Sequence, residues 1–456
     1  MNIKLNSGFN LDTTFAMAES LGANDGIEKR DLEEYSLLAD QAFEAIKSVR
    51  KGDILSHGEP ALFMNLPYQE SALIEKLSSI GERTKSRFDT VVAIGIGGSY
   101  LGNKVLFEAL RHPYYNEDSC VRNGYPRLFF AGNNLDPSHL KGLLDVIDLK
   151  KTKFIVISKS GGTTEPSAAF LVVADRLKKS NLTLKDHVIA VTDPDKGILR
   201  TIVNQNQMES FNVPHGIGGR FSVLSEVGLI TAAMTGVPIQ ELLDGAKSMD
   251  QACQIPDVEK NPALMYAVFC TILYKKKGKN ISVIMPYSNS LKSLGEWYVQ
   301  LLAESLGKEK NKAGEVVYEG RTPIPAVGTT DMHAQTQQHR EGANIRLLTF
   351  IRIKDFKDSE IIIPDQFQEH AKLAQLSGKS MSQALHAALD ANAESLREAH
   401  RSSITIEMPV LNAYHLGELL YFFEMATAFE GELLGVNPYD QPGVEAYKKI
   451  MTKILS

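Results

Sequence analysis

Short apolar runs alternate with amphipathic stretches along most of this chain. Between residues 88 and 193 the apolar runs are FDTVVAIGIGG, RLFFAGNN, KFIVISKS and HVIAVTD, and helical spacing marks intervening stretches such as SYLGNKVLFEALR and AAFLVVADRLKK. Apolar runs of strand length that are separated by amphipathic helices are typical of a parallel sheet covered on both faces. This part of the chain is therefore predicted to form an α/β unit.

The same alternation returns after a long helical region in the second half. The clearest helix of that region is NPALMYAVFCTILYKKKGK at 261–279. Strands are then predicted at NISVIMPYS, IRLLTFIRI and ITIEMPV, with helices such as MSQALHAALDANAESLREAHR between them. The predicted class is α/β, with two mostly parallel sheets that are each flanked by helices.

The chain contains no low-complexity tract or long charge run between the two predicted sheets, so we expect the two units to pack closely. The predicted boundaries give a helical N-terminal segment at 1–60 and a first α/β domain at 61–240. Connecting helices and a second α/β domain follow at 241–411, and a helical segment occupies 412–456.

Composition narrows the class of protein. A chain of 456 residues with 43% apolar and 23% charged residues is typical of a globular protein with two or three domains. The net charge of −6 is no reason to expect nucleic acid as a partner, and three cysteines without metal or redox spacing fit a reducing compartment. The first residues form no apolar signal region, and no stretch approaches the ~18 apolar residues of a membrane span. We expect a cytoplasmic protein without membrane contact.

Two glycine-rich polar turns follow predicted strands, where parallel sheets place their ligands. The first, at 95–99, does not fit a dinucleotide fingerprint because Tyr100 occupies the position of its third glycine. A nucleotide P-loop is also excluded, since Leu373 replaces the glycine that should precede GKS at 378–380.

The second turn, SKSGGTT at 158–164, combines hydroxyls, glycines and one lysine before a predicted helix. Such a turn can be an ordinary polar loop or an anion cradle, because hydroxyls, backbone N–H groups and a helix N-terminus all favour negative charge. Both interpretations stay open on these residues alone. If the two turns bind anions, a small phosphate ester suits them better than a nucleotide.

Ionisable residues provide no metal signature. His333 and His339 are six residues apart, so on one helix they face different directions. Gln300 and Glu304 share a helix face at i, i+4, but an ordinary solvated face has the same pattern. Spacing likewise leaves Arg220, in a Gly-Gly-Arg turn, indistinguishable from an exposed turn residue.

Six motifs, taken together, resemble those of the glucose-6-phosphate isomerase family, in its short Bacillus-like bacterial branch. They span at least Val91 to Lys448 and occur in the family's order. The motifs are IGIGGSYLG, FIVISKSGGTTEP, GGRFSVLSEVG at 218–228, ESLGK at 304–308, GTTDMHAQ at 328–335 and YDQPGVEAYK at 439–448.

The resemblance implies two SIS-type α/β domains and the interconversion of glucose 6-phosphate and fructose 6-phosphate through ring opening and a cis-enediol, without cofactor or metal. Motif matching assigns Glu304 as the base that moves a proton between C1 and C2. It assigns His333 to ring opening, Lys448 to the neighbourhood of the ring oxygen and Arg220 to stabilisation of the enediolate. Glu226, close to Arg220 in sequence, is the next candidate for the base.

The resemblance also implies a set of residues that bind the sugar phosphate: Gly97, Gly98, Ser99, Ser158, Lys159, Ser160, Thr163, Gln300 and Gln441. It implies a homodimer in which His333 reaches the neighbouring subunit's active site. A non-catalytic phosphosugar sensor of the same fold could keep both turns and lack the base, and the presence of Glu304, His333 and Lys448 together argues against it. A dual phosphoglucose and phosphomannose isomerase remains open, because details of the pocket decide the stereochemistry at C2.

Overall fold

The computed structural model describes residues 1–52, 55–56, 59–356 and 359–455. The few remaining positions of the predicted segments 1–60, 241–411 and 412–456 lie outside the described residues. The elements of the N-terminal segment are β1 (Asn2–Lys4), β2 (Asn10–Asp12), α1 (Ala18–Leu21), α2 (Lys29–Lys51), β3 (Leu55–Ser56) and β4 (Glu59–Pro60).

The prediction of a purely helical N-terminal segment is wrong for residues 2–12. β1 and β2 form an antiparallel pair, and β2 adds to the second sheet of the molecule. Phe9 and Leu11 are fully buried there. Strands of three residues are too short to display an alternating pattern, so the sequence alone did not reveal them.

The first sheet is built from the strands that the apolar runs predict, with helices between them. The elements are α3 (Ser71–Arg87), β5 (Thr90–Ile94), α4 (Gly98–Leu110), β6 (Arg127–Ala131), α5 (Pro137–Val146), β7 (Thr152–Ile157), α6 (Thr164–Lys179), α7 (Leu184–His187), β8 (Val188–Thr192), α8 (Ile198–Asn206), β9 (Glu209–Asn212) and α9 (Glu226–Met234). All five strands are parallel, in the order β6-β5-β7-β8-β9. β9 was not predicted, because its sequence ESFN has only one apolar residue and forms an edge.

The second half follows the same plan. Its elements are α10 (Ile239–Cys253), α11 (Pro262–Lys277), β10 (Ile281–Pro286), α12 (Lys292–Leu306), β11 (Lys308–Lys310), β12 (Val316–Glu319), β13 (Thr322–Pro325), α13 (Thr330–Glu341), β14 (Arg346–Ile353), α14 (Ala371–Ala374), α15 (Met381–Glu398), β15 (Ser403–Met408), α16 (Ala413–Leu433) and α17 (Glu445–Leu455). The sheet order is β1-β2-β15-β14-β10-β13, and β15, β14, β10 and β13 run parallel. The predicted α/β class with two mostly parallel sheets is confirmed.

The two sheets share one core. Helix α16 is buried along nearly its whole length, and a single buried apolar cluster joins it to α10, α11 and strands of both sheets. A helix that is buried on all sides needs neighbours on all sides, which explains why the two units pack without a linker. None of the helices in the described part of the chain combines the length and the apolar character that a bilayer crossing requires.

Helices α4 and α12, each the first helix after a central strand of its sheet, pack against each other in opposite directions. The turn before α4 meets Gln300 near the end of α12, Lys104 pairs with Glu296 in the middle at 2.7 Å, and the end of α4 lies by the start of α12. The antiparallel pair therefore runs from the carboxyl edge of one sheet to that of the other.

Candidate active site

The glycine turn after β5 forms a close backbone contact. A Cβ atom on Gly98 would lie 1.8 Å from the backbone carbonyl oxygen of Gly219. A Cβ atom on Gly97 would lie 2.9 Å from the side-chain nitrogen Nε2 of Gln300. Gly97 also has a φ of 56°, which favours glycine. The glycine turn at 95–99 therefore packs closely against the 218–220 turn and against α12. Ser99 is half-buried in the same turn.

Arg220 is the centre of this site, and it is 1% exposed. Its Nε donates to the hydroxyl of Ser305 at 2.7 Å. Its Nη1 donates to the side-chain oxygen of Gln441 at 2.8 Å and lies 3.4 Å from Oε2 of Glu304. One buried guanidinium therefore orients residues of two segments that are distant from it in sequence, Glu304 with Ser305 and Gln441.

The other end of the same guanidinium holds the loop before α17. Nη2 of Arg220 donates to the carbonyl oxygens of Pro438 at 2.6 Å and Asp440 at 3.1 Å. Burial lowers the pKa of Arg220, and the charges of Glu304 and Asp440 oppose that effect. A buried guanidinium that is satisfied by several acceptors is a rigid source of positive charge.

Glu304 is partly open to solvent and is held from two sides. Its side chain is 31% exposed, and its Oε1 accepts a hydrogen bond of 3.0 Å from Gln300, one helical turn earlier. The sequence therefore predicted the shared face of these two residues correctly. The arrangement leaves a partly exposed carboxylate with a buried arginine beside it.

Lys308 is a site residue that motif reading passed over, although it belongs to ESLGK. Its Nζ donates to the backbone carbonyl of Glu304 at 2.9 Å and forms an ion pair of 2.9 Å with the Asp440 carboxylate. Burial lowers the pKa of Lys308, and hydrogen bonding and charge from Asp440 oppose this. The lysine joins the end of α12 to the same loop that Arg220 holds.

The hydroxyl-rich turn after β7 is ordered by its own side chains. The Oγ atoms of Ser158 and Ser160 accept hydrogen bonds from the backbone N–H groups of Gly161 and Gly162, at 3.0 and 3.1 Å. A serine hydroxyl that accepts one bond still carries a proton to donate. Thr163 precedes α6 and makes no side-chain capping bond. The turn can therefore donate hydroxyl and backbone hydrogen bonds to an anion at the start of a 16-residue helix.

A cavity of about 150 Å³ connects the hydroxyl-rich turn with the Arg220 turn and the last motif. Its lining includes Ala61, Phe63, Lys159, Gly218, Tyr439 and Gln441. The aromatic rings of Phe63 and Phe221 stack with their centroids 4.4 Å apart. Sequence patterns had no means of assigning Ala61 and Phe63, because they belong to the segment between the N-terminal helix and the first sheet.

Two predicted catalytic residues make no described hydrogen bond or ion pair with this cluster. His333 is exposed on α13, and Lys448 is exposed on α17, where it pairs with Glu445 at 2.9 Å. Among the described residues, no hydrogen bond or ion pair joins either side chain to Glu304 or Arg220. Within one chain, the structure therefore brings together Arg220, Gln300, Glu304 and Gln441 but not these two.

Glu226, the second candidate for the base, is buried at the start of α9. Burial raises its pKa, and the charge of Lys76 opposes this effect. Its Oε2 has no hydrogen-bond partner among the described residues. Glu226 therefore differs from Glu304 in exposure, because Glu226 is buried and Glu304 is partly exposed.

A group of possible metal ligands that spacing did not predict lies beside the hydroxyl-rich turn. Donor atoms of Asp193, Asp195 and His215 lie within 4.8 Å of one another. Asp193 Oδ1 accepts the backbone N–H groups of Asp195 and Lys196, both at 3.0 Å, and His215 pairs with Asp195 at 3.2 Å. Local turn geometry and a histidine–carboxylate pair account for this arrangement.

Comparison with known proteins places this chain in a family. The family model described as phosphoglucose isomerase matches residues 68–456. A glucose-6-phosphate isomerase from Carboxydothermus hydrogenoformans is 40% identical over 394 residues, which cover 86% of this chain and 84% of that protein. A glucose-6-phosphate isomerase from Shouchella clausii is 36% identical over 389 residues, or 85% and 83% of the two chains.

Two solved structures have a fold similar to that of this chain. The crystal structure of a glucose-6-phosphate isomerase from Chlamydia trachomatis has a TM-score of 0.83 at 25% identity, covering 100% of this chain and 89% of that one. A hypothetical protein from Thermus thermophilus has a TM-score of 0.84 at 32% identity, with 98% and 100% of the chains covered. The similarity in fold therefore extends over nearly the whole length of this chain.

Proposed function

The chain belongs to the phosphoglucose isomerase family, and from that premise we propose that it interconverts glucose 6-phosphate and fructose 6-phosphate, a step of glycolysis and gluconeogenesis in the cytoplasm. The observation that carries the proposal is the Arg220–Glu304 pair, because Arg220 also holds Gln441, which lines one cavity with Lys159 of the hydroxyl-rich turn. A carboxylate base, a fixed positive charge and an anion cradle are the groups that a sugar-phosphate isomerase needs.

In the proposed mechanism the phosphate binds at Ser158, Ser160 and Thr163, far from the reacting carbons. Binding energy from the phosphate then positions the open-chain sugar against Glu304. Glu304 removes the proton from one of C1 and C2 and returns it to the other. The guanidinium of Arg220 stabilises the negative charge that develops on the enediolate oxygen.

Proton transfer next to a carbonyl requires a base and an oxyanion stabiliser, both of which side chains of this chain can provide. We therefore expect no cofactor or metal requirement. Gly97, Gly98, Ser99 and Gln441 would line the sugar phosphate. Lys448 would approach the ring oxygen.

We further propose a homodimer in which His333 of one subunit assists ring opening in the active site of the other. Support comes from the exposed position of His333 on α13, without a hydrogen bond or ion pair to Glu304 within the described part of this chain. An exposed histidine is available to a second copy of the chain, and closed two-fold dimers are the commonest protein assemblies.

The function is tested by coupled assays with glucose 6-phosphate, fructose 6-phosphate and mannose 6-phosphate. We expect rapid turnover of the first two, and deuterium from heavy water should enter C2 of glucose 6-phosphate. Comparable turnover of mannose 6-phosphate would establish a dual isomerase. Absence of turnover with tight binding of the sugar phosphates would indicate a sensor instead.

A further inference from the structure

The loop at 361–379, between β14 and α15, adds nothing to the apolar core. Within the described part of the chain, none of its residues is buried and none belongs to an apolar cluster of either sheet. The loop is nevertheless closed at its base. The N–H of Ile363 donates to the carbonyl oxygen of Lys379 at 2.9 Å, and the N–H of Gly378 donates to that of Ile363 at 3.0 Å. A compact closed loop of this kind is normally packed by its own side chains, and this one is not.

The large apolar side chains of this loop are exposed to solvent. The exposed fraction lies between 42% and 64% for each of Ile361, Ile362, Phe367, Leu373 and Leu376, and Met381 at the start of α15 is 55% exposed. Together these side chains present roughly 600 Å² of apolar surface, the upper end of what a monomeric protein exposes as one patch. Ordering a loop costs conformational entropy, and side chains that stay in water do not offset that cost. A covering surface would.

The charges of the loop indicate what kind of surface covers it. Its two acidic residues, Asp365 and Glu369, are balanced by its two basic residues, Lys372 and Lys379. Nucleic acids and anionic membrane surfaces bind basic segments, so a neutral and apolar loop favours a protein surface instead. Such a loop can also meet a copy of itself without repulsion between like charges, as a two-fold dimer requires.

The loop also ends near the helix that carries His333. Helices α13 and α15 pack side by side in parallel, because Thr336 donates to Asn392 at 3.3 Å and, farther along both helices, Arg340 donates to the carbonyl oxygen of Ser395. Thr336 lies less than one turn after His333, and Asn392 lies about three turns after the start of α15. His333 and the end of the loop are therefore separated by roughly 12 Å along the helix axes. A protein that covers the loop would reach the surroundings of His333.

We propose that the 361–379 loop is the surface through which two copies of this chain meet in a two-fold dimer. Two such patches, each with Met381, would bury roughly 1,200 Å² in total, which is the lower limit of a standard specific interface. Phe367 has the highest exposed fraction among the apolar residues of the loop, and aromatic side chains are common anchors of interfaces. The proposal names a contact surface for the homodimer of the proposed function. It rests on that function only for the sharing of His333, because the contact itself needs no reaction.

The test is the mass of the intact protein in solution, measured by sedimentation equilibrium. Wild-type protein is expected to have twice the 50.3 kDa of one chain. Phe367→Asp with Leu373→Asp places charges in the contact and should raise the dissociation constant of the dimer by at least about 30-fold, the effect of losing one anchor residue. Both side chains are exposed, so the double variant should keep the circular dichroism of the wild type. Val146→Asp, at a position that is 62% exposed at the end of α5, is the matched control and should remain a dimer.

A monomeric wild type overturns the proposal, as does a double variant that associates as tightly as the wild type. If the double variant fails to fold, Leu376→Asp replaces it in the same measurement and is judged in the same way. Isomerase activity is measured separately. A fully active monomeric variant would support the contact surface and contradict only the sharing of His333. A wild-type dimer without turnover that the double variant dissociates would likewise support the contact surface and contradict only the proposed function.

Discussion

The guanidinium of Arg220 lies 3.4 Å from the carboxylate of Glu304, although 84 positions separate the two residues in sequence. The arginine is almost completely buried, while the Glu304 side chain is 31% exposed. One partner is therefore fixed by the protein interior, and the other is partly open to solvent. This combination suits catalysis, because Glu304 as the base must reach the substrate while the positive charge of Arg220 must stay fixed.

Replacing the Glu304 carboxylate should slow catalysis strongly with little effect on substrate binding. Glutamine has the same shape but cannot accept the substrate proton, so Glu304→Gln should lower kcat by about 10²-fold or more with KM largely kept. The measurement is the coupled assay together with deuterium entry into C2. Glu226→Gln is the matched control and should retain catalysis. If the kcat of Glu304→Gln is within tenfold of the wild-type kcat, another residue must act as the base.

The hydroxyl-rich turn should lose affinity for phosphate when its hydroxyls are removed. Each lost charge-assisted hydrogen bond should cost about 1.5–3 kcal/mol of binding free energy in Ser158→Ala and Thr163→Ala. Thr163 makes no capping bond, so its effect should be confined to the ligand, whereas Ser158→Ala also frees the Gly161 N–H. Calorimetry with 6-phosphogluconate measures the affinity of each variant, and the exposed-site variant Thr201→Ala is the control. Unchanged affinity in both variants would show that the turn is an ordinary loop.

The close contact at Gly98 should not tolerate a side chain. In Gly98→Ala the new methyl group would collide with the Gly219 carbonyl, which is backbone and cannot rotate away. We expect a loss of about 1–3 kcal/mol or more in the free energy of unfolding, and lower activity because the Arg220 turn must shift. Denaturant unfolding and the coupled assay measure the two effects.

Gly142 provides the control for that experiment. It lies in α5, and no atom would come within 4 Å of an added Cβ. Gly142→Ala should therefore stabilise the protein by about 0.5–1 kcal/mol through helix propensity. Equal effects of the two substitutions would contradict the steric argument.

Shared active sites should appear as complementation between two inactive variants. When Glu304→Gln and His333→Ala are unfolded together and refolded as an equal mixture, mixed dimers contain one intact site. About a quarter of the wild-type activity should return if chains pair at random. Each variant refolded alone serves as the control. A fully active monomer in light scattering would rule out the shared site.

Stability should depend on pH through Glu424. This carboxyl is fully buried in α16, neither oxygen has a described partner, and burial raises its pKa well above its usual value. The folded state therefore keeps a proton that the unfolded state releases above pH ~4.5, so stability falls as pH rises beyond that value.

Glu424→Gln stays neutral, so its stability relative to wild type should increase with pH by up to about 1.4 kcal/mol per unit until the carboxyl of the folded protein ionises. Denaturant unfolding between pH 5 and 8 measures the difference, and exposed Glu117→Gln should show no such trend. A constant difference between Glu424→Gln and wild type would mean that Glu424 is not protonated in the fold.

The larger elements could be predicted because their patterns are local. β5, β7 and β8 are uninterrupted apolar runs, and the pairing of Gln300 with Glu304 follows from helical spacing. β9 and β13 could not be found in this way, since both are short edge strands with few apolar residues. Edge strands are defined by the neighbour that they pair with.

The sequence by itself determined the α/β class, the two turns at strand ends and the motifs that mark the family, because periodicity and turn chemistry are properties of adjacent residues. Only the tertiary structure decided that Arg220 is buried against Glu304 and that Lys308 holds the loop at Asp440. It likewise left His333 exposed, without a described hydrogen bond or ion pair to Glu304 or Arg220. Contacts between distant positions depend on how whole helices and sheets pack, and no local pattern encodes that packing.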